Sequence, residues 1–448
     1  MKLSKRRAAY ACLAGVATLS LAACSSSSKG TSTASPEGST ASGSAPAAGQ
    51  TYPTIAPPAQ VGGALSGPGV TASTITIGQI TTVTGPVPGL FQGANDGLDA
   101  WAAWVNANGG IDGRQVRIDH VDDGFNCTTY TNAMKQFAAS AFAVVGNLSL
   151  EDTCGKKVLT ANPNLVDIQA LLLDPTLYSA PNAYTAWPTP PGGITTGLAY
   201  MKQKYPDAVT HAAELVGQAA AANGKEEMLT AESLGYKYLY VRDVPDLTTN
   251  FTSDILRMKA DGVKFVDMTD LAVTSDADFL QQAAQQNFHP QVLYGASSYD
   301  AQLFKLLGNV SLANNVVWAA VPDALYLGQD RATVPAVNTF LTWLNRAKPQ
   351  AAPDLYAVEA WAAGQLLVKA MQGAGSNVTP ASVLHALKGI TNFGADGLIA
   401  PADPGQKRGT HCVVMANVQN GRWVRVQPPS GFDCNGTYYN VPLSKVSS

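Results

Sequence analysis

Between residues 74 and 80 the chain reads TITIGQI, with β-branched residues at every second position, the period of a strand. Over 91–106 the period lengthens. Leu98, Trp101, Ala102 and Val105 then share one helical face, and Asn108-Gly109-Gly110 predicts the stop. A strand over 115–121, a helix through Met134 and Phe137, and strands over 142–146 and 165–169 continue the alternation. The stretch 187–193 (WPTPPGG) breaks the rhythm and reads as a link between two bodies. Strands then recur over 209–216, 236–241, 264–268 and 291–295, with helices near 221–233, 250–261, 275–286 and 300–307. Residues 317–322 read as another crossing, followed by helices over 334–347, 355–372 and 381–387. The end changes to a hairpin, 411–418 and 423–427, about an Asn420-Gly421 turn. Strands alternating with helices across short loops predict parallel sheets covered on both faces. The expected class is α/β, with two Rossmann-like lobes.

The ends add a location. Lys2, Lys5, Arg6 and Arg7 precede an apolar run over 8–19, the pattern of an export signal. Leu21-Ala22-Ala23-Cys24 resembles the lipobox of bacterial lipoproteins, which implies a lipid on Cys24 and a signal over 1–23. Residues 24–70 are rich in Ser, Gly, Ala, Thr and Pro and are expected to form a lipidated flexible linker. The whole chain carries a net charge of −3, and removing the four basic residues of the signal leaves 25 basic against 32 acidic. No basic run remains to suggest nucleic acid. Cys127, Cys154, Cys412 and Cys434 are an even set for an oxidising compartment. Three pairings are possible, and proximity favours Cys127 with Cys154 and Cys412 with Cys434.

ITIGQITTVTGP (75–86), followed by NGGIDGRQVRIDHVDDG (108–124), resembles the opening of the leucine/isoleucine/valine-binding type of periplasmic binding protein, the substrate-capturing component of ABC importers. The elements that match are Thr84-Gly85-Pro86, Asn106 to Gly113, and Asp122-Asp123. The resemblance implies the type I fold: two lobes, three crossing segments and a ligand cleft that closes by hinge motion. It also supports the Cys127–Cys154 pairing. Lobe 1 is expected over 71–187 and 323–405, and lobe 2 over 190–320 and 408–448. The crossings fall near 187–193, 319–325 and 398–410.

Carried over residue by residue, the resemblance places Ser149, in the loop Gly146 to Leu150, where a ligand carboxylate is held. Ala170 fits the family's small position after Gln169, but Leu171 or Leu172 stands where Thr is expected. The first loop of lobe 2, Gly217-Gln218 and three alanines, lacks the family's aromatic. An acidic partner for the ammonium is expected near 246–250, where Asp246 stands but the alignment brings Thr248 or Thr249 closer. A charged pair buried without partners is costly, so the expected ligand is not a standard zwitterionic amino acid. A less charged, partly apolar molecule suits the proposed cleft residues: Thr84, Phe91, Leu148, Ser149, Leu150, Gln169, Ala170, Gln218, Asp270, Ser297 and Tyr299. Trp187 and Trp318, at expected crossings, are further candidates, whereas Trp101, Trp104 and Trp361 read as core.

No phosphate-binding loop, Gly-x-Ser-x-Gly turn or metal-ligand spacing is present, so no catalytic residue, cofactor or metal is expected. The expected partners are a small molecule, an ABC permease, and the outer face of the cell membrane through the lipid, with the protein acting as a monomer. The alternative function is a sensor or receptor domain of the same fold.

Overall fold

The computed structural model describes residues 52–56, 60–245 and 247–446. The signal segment, Cys24 and Asp246 lie outside the described residues.

Five parallel strands form the first sheet. They are β1 (Thr74–Thr81), β2 (Gln115–Asp122), β3 (Ala143–Val145), β4 (Asp167–Gln169) and β5 (Ala183–Thr185), in the order β2-β1-β3-β4-β5. β1 is buried almost throughout, as a strand covered on both faces requires. β5 and the two-residue shortening of β3 and β4 escape sequence reading, because three residues carry no usable period.

The second sheet has seven strands: β6 (Ala212–Gly217), β7 (Tyr238–Val244), β8 (Phe265–Thr269), β9 (Gln291–Tyr294), β10 (Val317–Val321), β11 (Val414–Gln419) and β12 (Arg422–Gln427). Their order is β12-β11-β10-β9-β8-β6-β7; the first five in sequence are parallel, and the terminal hairpin adds antiparallel strands at β10. The hairpin turns at Asn420-Gly421, both with positive φ, the geometry a tight two-residue turn needs. Residues 317–321, expected as a crossing, are instead a strand of this sheet, and the crossing begins at Pro322. Tyr178, Thr189 and the Gly192–Ile194 strand show that the Pro-rich link is also ordered. That strand pairs with Tyr438–Asn440, and Tyr178 Oη accepts from Thr189 N at 2.6 Å.

Helices α1 (Gln92–Ala107) and α2 (Cys127–Ser140) belong to the first sheet; α3 (Thr195–Lys204), α4 (Ala221–Ser233), α5 (Thr252–Ala260) and α6 (Val273–Gln285) belong to the second. After β10 the chain returns to the first body as α7 (Pro335–Ala347), α8 (Leu355–Gln372) and α9 (Pro380–Leu387), with α7 and α8 packed on α1. Gly93 and Gly97 set the closeness of α1 to α8. A Cβ at Gly97 would lie 2.1 Å from Ala357 O, and one at Gly93 would lie 2.2 Å from Asp354 Oδ1. Asp354 caps α8 by accepting from Ala357 N at 2.8 Å. Across the interface Trp104 stacks on Trp361 at 5.3 Å. Trp101 and Trp361 are fully buried, as core tryptophans should be.

The second and third crossings pair with each other. Ala324 N donates to Leu398 O at 2.9 Å, and Ala400 N donates to Pro322 O at 2.7 Å. A single apolar cluster joins the inner faces of both sheets through Leu325, Tyr326, Leu398 and Ile399. Arg425 of β12, half-buried, forms an ion pair with buried Asp330 in the second crossing, whose Oδ2 also accepts from Leu325 N at 2.7 Å. Disulfides join Cys127 to Cys154 and Cys412 to Cys434.

The linker expected to reach residue 70 ends earlier. Asn338 Nδ2 donates to Tyr52 O and Pro53 O at 3.1 and 2.9 Å, and Ile55 N donates to Thr339 Oγ1 at 3.0 Å. Val61 is buried, and Ala64–Leu65 pairs in parallel with Asn377–Val378. A few apolar residues with free backbone groups suffice to fasten a segment that composition alone reads as coil.

Candidate functional site

In open parallel sheets the loops at the carboxyl ends of the strands are free to bind ligands. Here those loops come from β1, β3 and β4 on one side and from β6, β8 and β9 on the other. The Asp122-Asp123 pair at the end of β2 organises the first side. Thr82 Oγ1 donates to Asp123 Oδ1 at 2.8 Å, and Ser149 Oγ donates to Asp123 Oδ2. Ser149 Oγ also accepts from Glu151 N at 2.9 Å, and the residue is 1% exposed. Thr84 Oγ1 donates to Asp122 Oδ2 at 2.5 Å. Burial raises the Asp122 carboxyl, but hydrogen bonds from Thr84 Oγ1 and the Val83, Thr84 and Gly124 amides outweigh it and hold the group low. Ser149 and Thr84, both expected to meet ligand, are therefore engaged in a clasp between the β1 and β3 loops.

Three more expected contacts turn inward. Gln169 is 1% exposed and donates through Nε2 to Asp167 Oδ2 at 2.8 Å. Leu148 is fully buried, and its backbone bridges to Thr81. Ala170 is also fully buried, and its carbonyl accepts from Thr185 Oγ1 at 2.9 Å. Asn147, which sequence reading passed over, accepts from Ile80 N at 2.7 Å and donates to Asp167 at 3.2 Å, tying three strand ends together. Leu150 and Leu171 remain half-buried at the edge of the core.

On the second side Gln218 and Asp270 are exposed. Asp270 has φ +51°, strained for a non-glycine residue, and accepts from Asn223 Nδ2 at 3.2 Å. Although the residue as a whole is exposed, burial of its carboxyl raises it, with Asn223 countering in part. Gly295 sits against Asp270 without a side chain, and a Cβ there would lie 3.6 Å from the Asp270 amide. Ser297, two residues on, has a buried Oγ without a hydrogen-bond partner. Tyr299 departs from expectation: it is fully buried, donates to Gln329 Oε1 at 2.6 Å, and meets Tyr326 edge-on at 5.0 Å. Trp318 does the same, 3% exposed with Nε1 donating to Gln291 Oε1 at 3.0 Å. Its ring packs near Tyr200 and Tyr205 instead of facing a cleft.

One aromatic residue absent from the sequence reading joins the two sides. Tyr356, in the first turn of α8, meets Phe91 edge-on at 5.1 Å. Burial is the main reason its hydroxyl is held protonated, followed by the negative charges of Asp270, Asp354 and Asp300. Asp270 and Asp300 belong to the second body and lie close enough to act on the Tyr356 hydroxyl. Tyr356, Asp270 and Asp300, with Phe91 packed behind Tyr356 at 5% exposure, are therefore the candidate lining of a groove between the two sets of loops. Asp300 is raised by burial and offset by the Gln302 amide and Lys305. The signal for Tyr356 was present in the sequence: a capping Asp354 two residues before it at a helix start.

An open cavity of about 990 Å³ also lies against Trp101, Trp104, Gln365, Phe393, Ile399 and Phe432. It is walled by helix flanks and the third crossing, not by strand ends, so it does not gather the loops that the groove does. The two clusters of potential metal-binding groups among the described residues contain Cys412 with Cys434 and Cys127 with Cys154. Both cysteine pairs are disulfides, so neither offers a thiolate.

The fold is shared with solved solute-binding proteins. A fatty acid ABC transporter substrate-binding protein from Thermomonospora curvata aligns at 17% identity over 85% of this chain and 95% of that one, with a TM-score of 0.66. A solute-binding protein of an ABC transporter from R. palustris, in complex with 4-hydroxybenzoate, aligns at 16% identity over 79% and 96%, with a TM-score of 0.63. A branched-chain amino acid transporter substrate-binding protein from Streptococcus pneumoniae, in complex with isoleucine, aligns at 16% over 79% and 100%, with a TM-score of 0.60. None of the curated proteins matches the chain by sequence. The profile of the family described as periplasmic binding protein matches residues 74–422, most of the chain. The chain belongs to the periplasmic binding protein family.

Proposed function

We propose that the protein captures a small molecule in the groove between its lobes and presents it to an ABC importer, without covalent chemistry. The lipid expected on Cys24 would keep it at the outer face of the cell membrane. No helix among the described residues is long and apolar enough to cross a membrane. Lobe 1 is the body of β1 to β5 with α7 to α9, and lobe 2 is the body of β6 to β12.

What supports the ligand class is the placement of the Asp270 and Asp300 carboxyls near Tyr356, beside the aromatic pair that Tyr356 makes with Phe91. Such a groove repels a free carboxylate and accepts a neutral or cationic molecule with an apolar part that rests on Phe91 and Tyr356. Ser149, the residue that the resemblance assigns to a ligand carboxylate, is already committed to Asp123, which supports the same reading. The solved relatives bind a fatty acid, 4-hydroxybenzoate or isoleucine by their descriptions, so the shared fold does not choose among ligand classes.

A thermal-shift screen of residues 25–448 tests this, because a ligand of the folded state raises Tm by mass action. Amines, amides and neutral aromatics are expected to shift Tm, and Tyr356→Ala is expected to remove the shift. A shift with isoleucine, 4-hydroxybenzoate or a fatty acid alone would overturn the ligand class.

A further inference from the structure

The cavity of about 990 Å³ beside the third crossing lies apart from the groove, and its walls carry their own chemistry. α1 and α8 supply one wall. Gly364 of α8 has no side chain, which lets the indole of Trp101 lie on that helix: a Cβ there would stand 2.6 Å from Trp101 Cε2. The next residue, Gln365, turns its amide to the third crossing, where Nε2 donates to Asp396 Oδ2 at 3.2 Å. A carboxylate oxygen only accepts, so this bond fixes which end of the amide is oxygen. Gln365 Oε1 is left buried with no donor, and Trp101 Nε1 is buried with no acceptor, among the described residues. Both residues line the cavity. A buried donor and a buried acceptor each cost free energy until a partner meets them.

The rest of the wall is aromatic and spans the hinge. Trp104 comes from α1, Phe393 from the third crossing, and Phe432 from the loop after β12. Backbone pairing of Asp433 with Val413 holds that loop to lobe 2, so an occupant would bear on both lobes at once. Lys369 and Asp396 are the charged residues of the lining, one of each sign and both exposed. Such walls favour a neutral molecule. The volume stands at the upper end of the roughly 300–1,000 Å³ of small-molecule sites, which suits several fused rings.

We propose that this cavity is a second small-molecule site, for a flat, neutral, multi-ring compound whose edge sets an N–H beside a carbonyl. The N–H donates to Gln365 Oε1, the carbonyl accepts from Trp101 Nε1, and the rings rest on Trp104, Phe393 and Phe432. The site is independent of the groove and of the ligand class assigned there.

Lumichrome, a fluorescent three-ring lactam, is the probe, and its N,N′-dimethyl derivative, which lacks the N–H groups, is the control. Anisotropy titrations with residues 25–448 are expected to show saturable binding of lumichrome. The derivative is expected to bind about tenfold more weakly, the loss of one buried hydrogen bond. Gln365→Met is expected to erase that preference, and Tyr356→Ala to leave it intact. No saturable binding, equal binding of the two probes, or a preference that survives Gln365→Met would overturn the site. Loss of binding in Tyr356→Ala would assign the probe to the groove and overturn it too. If Gln365→Met does not fold, Phe432→Ala decides. It is expected to weaken both probes by about fivefold, and unchanged affinity would overturn the proposal. Failure here leaves the groove reading to its own screen.

Discussion

The α1–α8 crossing offers a test in which two neighbouring glycines should behave differently. Gly97→Ala places a Cβ 2.1 Å from Ala357 O and 2.6 Å from its Cα, both backbone atoms. Carbon contacts settle near 3.5 Å, so the helices must part by roughly 1 Å. Over-packing of this kind costs about 1–3 kcal/mol, with a backbone clash at the upper end. Alanine returns about 1 kcal/mol in helix propensity. The net expectation is a loss of about 2 kcal/mol. Gly93→Ala instead meets the Asp354 carboxylate, which can swing aside at the expense of its cap on Ala357 N. Losing a cap costs about 1 kcal/mol, which cancels the propensity gain. Urea unfolding at 25 °C should thus rank Gly97→Ala well below both Gly93→Ala and the wild type. Phe91 and Tyr356 meet at the amino-terminal end of this crossing, so Gly97→Ala should also weaken ligand binding. A Gly97→Ala protein as stable as the wild type would refute the close-packing argument.

Other outcomes follow from the buried groups. Asp152 and Asp167 are raised to about 7, and Asp276 to about 8, chiefly by burial. Their folded values exceed the unfolded ones, so their stabilising effect is complete below about pH 4 and is lost as pH rises through 7 to 8. Chemical unfolding should therefore show greater stability at pH 5 than at pH 8; the reverse order would contradict the assignment. Replacing both Cys127 and Cys154 by Ser opens a loop with sequence separation 27 and should cost about 3.5 kcal/mol by chain entropy, measured by denaturant titration. A loss below about 1 kcal/mol would show that the unfolded chain is already constrained there. Ser149→Ala removes a donor from buried Asp123 and should destabilise by about 1–3 kcal/mol while leaving ligand affinity nearly unchanged. Lost affinity at full stability would return Ser149 to the ligand.

The long periodic elements were readable before any coordinates. α1, α7, α8 and the Asn420-Gly421 hairpin fall where period and turn residues put them, because their patterns run over enough residues to be unambiguous. Three-residue strands such as β5 have no such pattern, and only the sheet reveals them. The candidate site was less legible. Ser149, Thr84 and Gln169 have the right chemistry and sit at strand ends, but a sequence does not show that Asp122, Asp123 and Asp167 already engage them. Tyr299 lies next to Asp300, yet its ring turns into the core to meet Tyr326 and Gln329. Tyr356 is remote in sequence from the strand-end loops and reaches the groove only through the return of α8 to the first sheet. Resemblance identified the scaffold, and the pocket chemistry had to come from which side chains are already paired.

The fastening of residues 52–65 also fixes a load path. Any pull arriving from the amino-terminal side enters through Tyr52 and Pro53 and passes into Asn338 and Thr339 of α7. It is then resisted in shear by the Ala64–Leu65 pairing with Asn377–Val378. All of these receiving elements belong to one lobe. Traction on the chain would move that lobe as a unit instead of prying the groove apart, leaving opening and closing to the other lobe, which carries no such attachment among the described residues.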